Sequence, residues 1–171
     1  MNNQTLVNAN SKLNVSSRED SLIRLLVFSI DKLTLALPVH RVRKVTKYSP
    51  LYGSGLSHVN LTHFGNQELT VIDLHQKLFN CSQDDLNPDG GYFIVVKSDQ
   101  TPNSDLEDEY LGIRAIDAPI LMDVSFKHLR SLPKSYRYAD TLEIASHVAI
   151  IPGDDNSSSQ TIFVLDLDCL I

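Results

Sequence analysis

The sequence predicts an all-β protein with a few short helices, built from two similar units. Two observations carry that expectation. Short apolar, β-branched runs recur at short intervals, separated by Gly, Pro, Asn or Asp. One run also has an echo at the end of the chain. Glu68 to Leu78 passes from an aliphatic strand through Asp73-Leu74 to Leu78, and Thr161 to Ile171 passes through Asp166-Leu167 to Ile171, 93 residues later.

Taken in order, residues 1–20 are rich in Asn and Ser, with isolated Leu6, Val7, Leu13 and Val15. Such a stretch buries little, so a disordered tail is expected. Leu22 to Ile30 is a strand, Asp31-Lys32 a tight turn, and Leu33 to Leu37 the returning arm. Pro38 ends the ladder because it has no N–H to donate. Val39, Val42 and Val45 then recur every three residues, which suits one or two helical turns with a strand possible toward Val45. Arg41, Arg43, Lys44 and Lys47 surround them, a solvated face or an interaction surface.

Ser49 to Gly55 is expected as a loop, Leu56 to Leu61 as a strand, and Phe64-Gly65-Asn66-Gln67 as a hairpin turn. The strand Leu69 to Ile72 is apolar on both faces and should be central. Asp73 is placed to cap the helix that follows.

Asn80 to Gly91 is polar and marks the boundary between a first half-unit, about 22–80, and a second, about 92–171. Tyr92 to Val96 and Tyr110 to Ile116 are strands, joined by an acidic, Pro-containing stretch expected as a mobile loop. A mixed apolar stretch at 119–122 precedes a short helix over Phe126 to Leu132. Glu143 to Ile151 and Thr161 to Asp166 form a last hairpin.

The halves share an order of features. Each opens with an apolar strand and continues with a small residue between aliphatics, Leu35-Ala36-Leu37 and Leu111-Gly112-Ile113. Each closes with a hairpin whose arms carry Ser-His-Val and Asp-Leu, which puts His58 and His147 at matching positions. Duplication of a small β unit accounts for this order, and predicts small barrels or a sandwich. A unit of about 70 residues has little core by itself, so the two should share an interface. The groove between them is a candidate contact surface.

Composition narrows the function. The charge sum of the 171 residues is 15 − 21 = −6, which argues against a nucleic-acid partner. No apolar run approaches the roughly 20 residues of a membrane span, so no membrane insertion is expected. The N-terminus lacks a basic start followed by an apolar segment, so a cytoplasmic protein is expected. Cys81 and Cys169 give no disulfide framework. There is no phosphate loop, no His-Glu-x-x-His, no Cys-x-x-Cys and no nucleophile elbow. Asp73 and Asp166 are explained as strand-end caps rather than a catalytic pair. No catalytic residue, metal site or cofactor is expected, and the chain reads as a binding module, not an enzyme.

The ordered set Leu26 to Ile30, Leu35 to Val39 with Val42 and Val45, Leu69 to Leu74, Leu111-Gly112-Ile113 and Phe163 to Leu167 resembles the CheW-like domain family, the coupling proteins of chemotaxis-type signalling. The resemblance spans about residues 22–171. It looks closest to a divergent cyanobacterial branch through Ile72 to Leu78, Leu129 to Arg137 and Ser146-His147-Val148. It implies two packed SH3-like β-barrel subdomains. It also implies a non-enzymatic adaptor that joins a methyl-accepting chemoreceptor tip to the regulatory domain of a CheA-type histidine kinase, with phototaxis or pilus-based motility as possible settings. The contact residues it implies are Val42, Lys44, Val45, His63, Phe64, Gly65 and Asn66. Two of them depart from the family pattern: Gly65 stands where members commonly carry Arg, and Lys44 where they often carry Glu. An adaptor of the same fold that has lost the kinase, or a small-molecule sensor using the inter-lobe groove, are the alternatives.

Overall fold

The computed structural model describes residues 21–82, 90–97, 110–133, 135, 141–153 and 158–170. The N-terminal tail, the acidic stretch 98–109 and most of the polar connection before Gly91 lie outside the described residues.

The chain forms two curled six-stranded sheets. The first has the order β10-β11-β12-β2-β1-β9. Its strands are β1 (Leu22–Ile30), β2 (Leu33–Pro38), β9 (Ile120–Ser125), β10 (Leu129–Ser131), β11 (Ala145–Ile151) and β12 (Gln160–Leu165). The second has the order β3-β7-β8-β6-β5-β4, from β3 (Val42–Lys47), β4 (Tyr52–Leu56), β5 (Val59–Phe64), β6 (Gln67–Ile72), β7 (Tyr92–Lys97) and β8 (Tyr110–Ala115). Read from β4, the second sheet runs β4-β5-β6-β8-β7-β3. That is the order of the first with each strand exchanged for its counterpart six places away. Each half of the chain thus contributes to both sheets. The β1–β2 hairpin joins the four later strands of the second half, and the β7–β8 hairpin joins those of the first.

This exchange dictates the burial pattern of the hairpins. Along β1, Leu25 and Val27 point into the core of the first sheet, and Leu26, Phe28 and Ile30 into the core between the sheets. Along β7, Phe93 and Val95 fill the second sheet, and Ile94 and Val96 face the first. Strands buried on both faces read as continuous apolar runs, as these two do. The shared cluster is the largest, with Leu35, Leu37, Ile72, Leu74, Leu111, Ile113, Ile144, Leu165 and Leu170 also in it.

The small residues of the two halves meet the same constraint. β12 runs parallel to β2 with Val164 beside Ala36, and β6 runs parallel to β8 with Val71 beside Gly112. Val71 and Val164 are themselves 93 apart. A Cβ on Gly112 would lie 3.0 Å from Val71 Cγ2 and 3.1 Å from Leu69 Cδ2, leaving no room for more.

The helix cap expected at Asp73 is present. Asp73 accepts from the Gln76 N–H at 3.0 Å and caps α1 (Leu74–Phe79), which ends at Asn80 in the left-handed region. The second Asp73 oxygen accepts from Ser82 Oγ at 2.9 Å. Its counterpart differs: Asp166 makes no side-chain cap, and the 3-10 turn after it spans only Leu167–Cys169.

Three further expectations are corrected, and one stretch left unassigned becomes a strand. The stretch expected as a loop before Leu56 is β4, an exposed edge strand whose glycines are taken up by a bulge between Gly53 and Leu56. The mixed stretch after Pro119 is β9. The helix expected from Phe126 is a single 3-10 turn leading into β10. His58 and His147 are not equivalent. The His58 carbonyl accepts from Asp73 N–H, and the Ile144 carbonyl from Asp166 N–H, so His58 corresponds to Ile144. Ser57 and His58 form the turn between β4 and β5, whereas Ser146 and His147 lie inside β11, with His147 opposite Val164.

Replacing Gly112 by Val should destabilise the protein by roughly 1–3 kcal/mol through overpacking, with Gly112→Ala costing less because Ala36 holds the matching site. Chemical denaturation of both variants checks the ranking. Asp73→Ala should cost about 1 kcal/mol through loss of the cap, read in the same titration.

Candidate protein-interaction surface

β3 is an edge strand with the sequence VRKVTK. Val42 pairs with Val96 and Lys44 with Val95, so Arg43 is the extra residue of a bulge. The bulge leaves Arg43 and Lys44 both exposed, where strict alternation would have turned one of them inward. Val42 and Val45 are half-buried and pack against the inter-sheet core. They anchor β3 on that core and stay partly exposed.

The β5–β6 hairpin closes with Phe64 opposite Gln67. Gly65 occupies the first of the two loop positions with φ +65°, the glycine-first pattern of a tight type II′ turn. Phe64 points toward β3, and Lys44 Nζ lies 5.5 Å from its ring centroid. Tyr110, at the start of β8, meets the Phe64 ring edge-on at 6.2 Å between centroids. Together Arg43, Lys44, Phe64, Asn66, Gln67 and Tyr110 line an open groove of about 550 Å³.

The structure therefore brings three of the seven expected contact residues into one groove: Lys44, Phe64 and Asn66. Gly65 forms the tip of the turn beside it. His63 is exposed and stands edge-on to Tyr52, 6.3 Å between ring centroids. It belongs to the opposite face of β5, because adjacent strand residues alternate. Tyr110 and Gln67 were not singled out by sequence. The parallel β6–β8 pairing delivers Tyr110 to the groove, and only the halves' repeat, with its small residue between aliphatics, hints at that pairing.

Beneath the groove the second sheet is held by buried polar contacts. Thr62 Oγ1 donates to the Pro50 carbonyl at 2.9 Å and lies 3.0 Å from Ser49 Oγ. Arg114 is fully buried, with its guanidinium 4.6 Å from the Tyr48 ring centroid and Nη2 3.4 Å from the Gly90 carbonyl. These contacts fix the loops below the barrel and leave the groove face to its aromatic and basic side chains.

The space between the sheets is filled by the shared apolar core. A recess of about 190 Å³ remains beside it, lined by Pro38, His40, Arg41, Ser146, Leu165, Asp166, Leu167 and Asp168. That is below the roughly 300–1,000 Å³ of ordinary small-molecule sites. Among the described residues no group of three or more His, Cys, Asp or Glu is arranged to hold a metal ion. No helix among them is long and apolar enough to cross a membrane.

Two curled sheets that exchange their opening hairpins make this a CheW-like, two-subdomain all-β fold. The scaffolding protein CheW from Thermoanaerobacter tengcongensis has a similar crystal structure: TM-score 0.65 over 86% of each chain, at 14% sequence identity. No family model matches the chain, and no curated protein matches it.

A side chain at Gly65 would meet nothing within 4 Å, so only the left-handed backbone penalises substitution. Gly65→Arg should cost about 1 kcal/mol or somewhat more through the positive φ. Denaturant unfolding with an unchanged far-ultraviolet spectrum checks this.

Proposed function

We propose that this protein is a non-enzymatic scaffold of chemotaxis-type signal transduction, coupling a chemoreceptor tip to the regulatory domain of a CheA-type histidine kinase. The observation that carries this reading is the fold, which is similar over most of both chains to a protein described as a scaffold. The groove supports it. Aromatic side chains ringed by polar and charged ones are the composition of a protein-contact surface, and Lys44, Phe64 and Asn66 lie in the family's contact segments. Asp73, the most deeply buried carboxylate among the described residues, is already engaged by the Gln76 N–H and Ser82.

The role fits a cytoplasmic protein of the divergent cyanobacterial branch, serving phototaxis or pilus-based motility. The motifs at Ile72 to Leu78 and Leu129 to Arg137 are the grounds for that branch.

Titrating the purified full chain against a CheA-type regulatory domain and against a receptor tip tests the proposal. Saturable binding to at least one is expected, and folded protein that binds neither at high micromolar concentration would overturn it.

A further inference from the structure

The chain is acidic overall, yet the wall of its groove is basic. β3 carries Arg43, Lys44 and Lys47 among six residues and no carboxylate, in a protein of net charge −6. The bulge turns Arg43 and Lys44 out together. Among the described residues, neither makes an ion pair with a carboxylate; Lys44 instead lies over Phe64. Below them are the edge-on rings of Phe64 and Tyr110, with the amides of Asn66 and Gln67 at the end.

From this we infer that the groove docks an acidic protein segment bearing one aromatic or large aliphatic anchor. The inference rests on the adaptor reading and adds the chemistry of the partner. The anchor enters against Phe64 and Tyr110, where an apolar group is removed from water. Flanking carboxylates meet Arg43 and Lys44, which steer encounter and reject basic segments. An anchor ring that displaces Lys44 from Phe64 gives up a weak cation–π contact, which a carboxylate on the same segment offsets, so apolar and acidic features reinforce each other. Polyanionic nucleic acid fits less well. The patch is one short strand wide, the two rings pack edge-on to each other instead of lying open for base stacking, and the rest of the chain repels phosphate.

The experiment is a titration of the full-length protein, followed by amide chemical shifts. The probe is a short synthetic peptide of Asp and Glu around a central Phe. Its controls are the same peptide with Lys for every acid, the same peptide with Gly for Phe, and a single-stranded oligonucleotide of equal charge. The acidic Phe peptide should bind with shifts at Phe64, Asn66 and Tyr110, and should weaken at least about tenfold in R43E/K44E. Raising sodium chloride from about 50 to about 500 mM should weaken it as well. The double variant K32E/K127E changes net charge equally but on the first sheet, and should bind as the parent does. Both pairs of residues are exposed, so all variants should fold, and thermal unfolding verifies this.

Equal binding of the Lys peptide, equal binding of the oligonucleotide, or shifts elsewhere would overturn the inference. So would binding that emerges only after Asp105, Glu107, Asp108 and Glu109 are neutralised, which would make the chain's own acidic stretch the occupant. A parallel titration with the kinase domain and receptor tip separates this from the adaptor reading. Parent protein that binds neither while still taking the peptide would sink only the adaptor reading. Kinase or receptor binding left unchanged by R43E/K44E would sink only the inference.

Discussion

The β1–β2 and β7–β8 hairpins are buried on both faces, and the rest of the structure depends on that. A six-stranded unit of this size has little interior of its own. In the second sheet the fully buried apolar residues of the barrel interior are Leu69, Val71, Phe93 and Val95. The outer faces of the exchanged hairpins supply what the barrels lack, through a shared core that draws on both sheets. The two subdomains are therefore one cooperative body. Neither half of the chain holds the hairpin that completes the sheet formed by its own later strands.

The exchange also explains why the repeat is so uneven. Positions that face the crossing strands are constrained alike in both halves. Ala36 and Gly112 are small because β12 and β6 run beside them, and Val164 and Val71 are their partners. Positions that face solvent are free to diverge. Asp73 caps a helix and Asp166 does not. β3 is basic and bulged, while its counterpart β9 is apolar and regular, with Ile120 and Leu121 exposed. A duplicated frame thus carries two different surfaces.

The strands were legible wherever burial imposed a pattern. The runs at Leu22 to Ile30, Leu69 to Ile72 and Tyr92 to Val96 are apolar on both faces, and the Asp73 cap has its own local signature. Short edge elements were not legible. β4 is Gly-rich and exposed at every position, so neither periodicity nor propensity marks it. The equivalence of the two Ser-His-Val segments failed because the first supplies the β4–β5 turn and the second lies within β11, so the same three residues serve different backbone roles. At the groove, Lys44 and the Phe64 to Asn66 turn came from a family pattern. Val42 and Val45 came with them and pack half-buried against the shared core. Arg43 was legible only as one of four basic residues, because a bulge, not alternation, turns it outward beside Lys44, and Tyr110 was missed because a parallel pairing brings it near.

Under the proposed function, the Lys44–Phe64 face joins this chain to a signalling kinase or its receptor. The most direct measurement is site-specific photo-crosslinking in the native cell, with the photoreactive residue at Asn66 and, for comparison, at Lys32 on the first sheet. A covalent adduct from Asn66 to a CheA-type regulatory domain or a chemoreceptor tip, identified by mass spectrometry, is expected, and none to these from Lys32. Adducts to neither class from Asn66, in cells where the chain is expressed and folded, would contradict the proposed function.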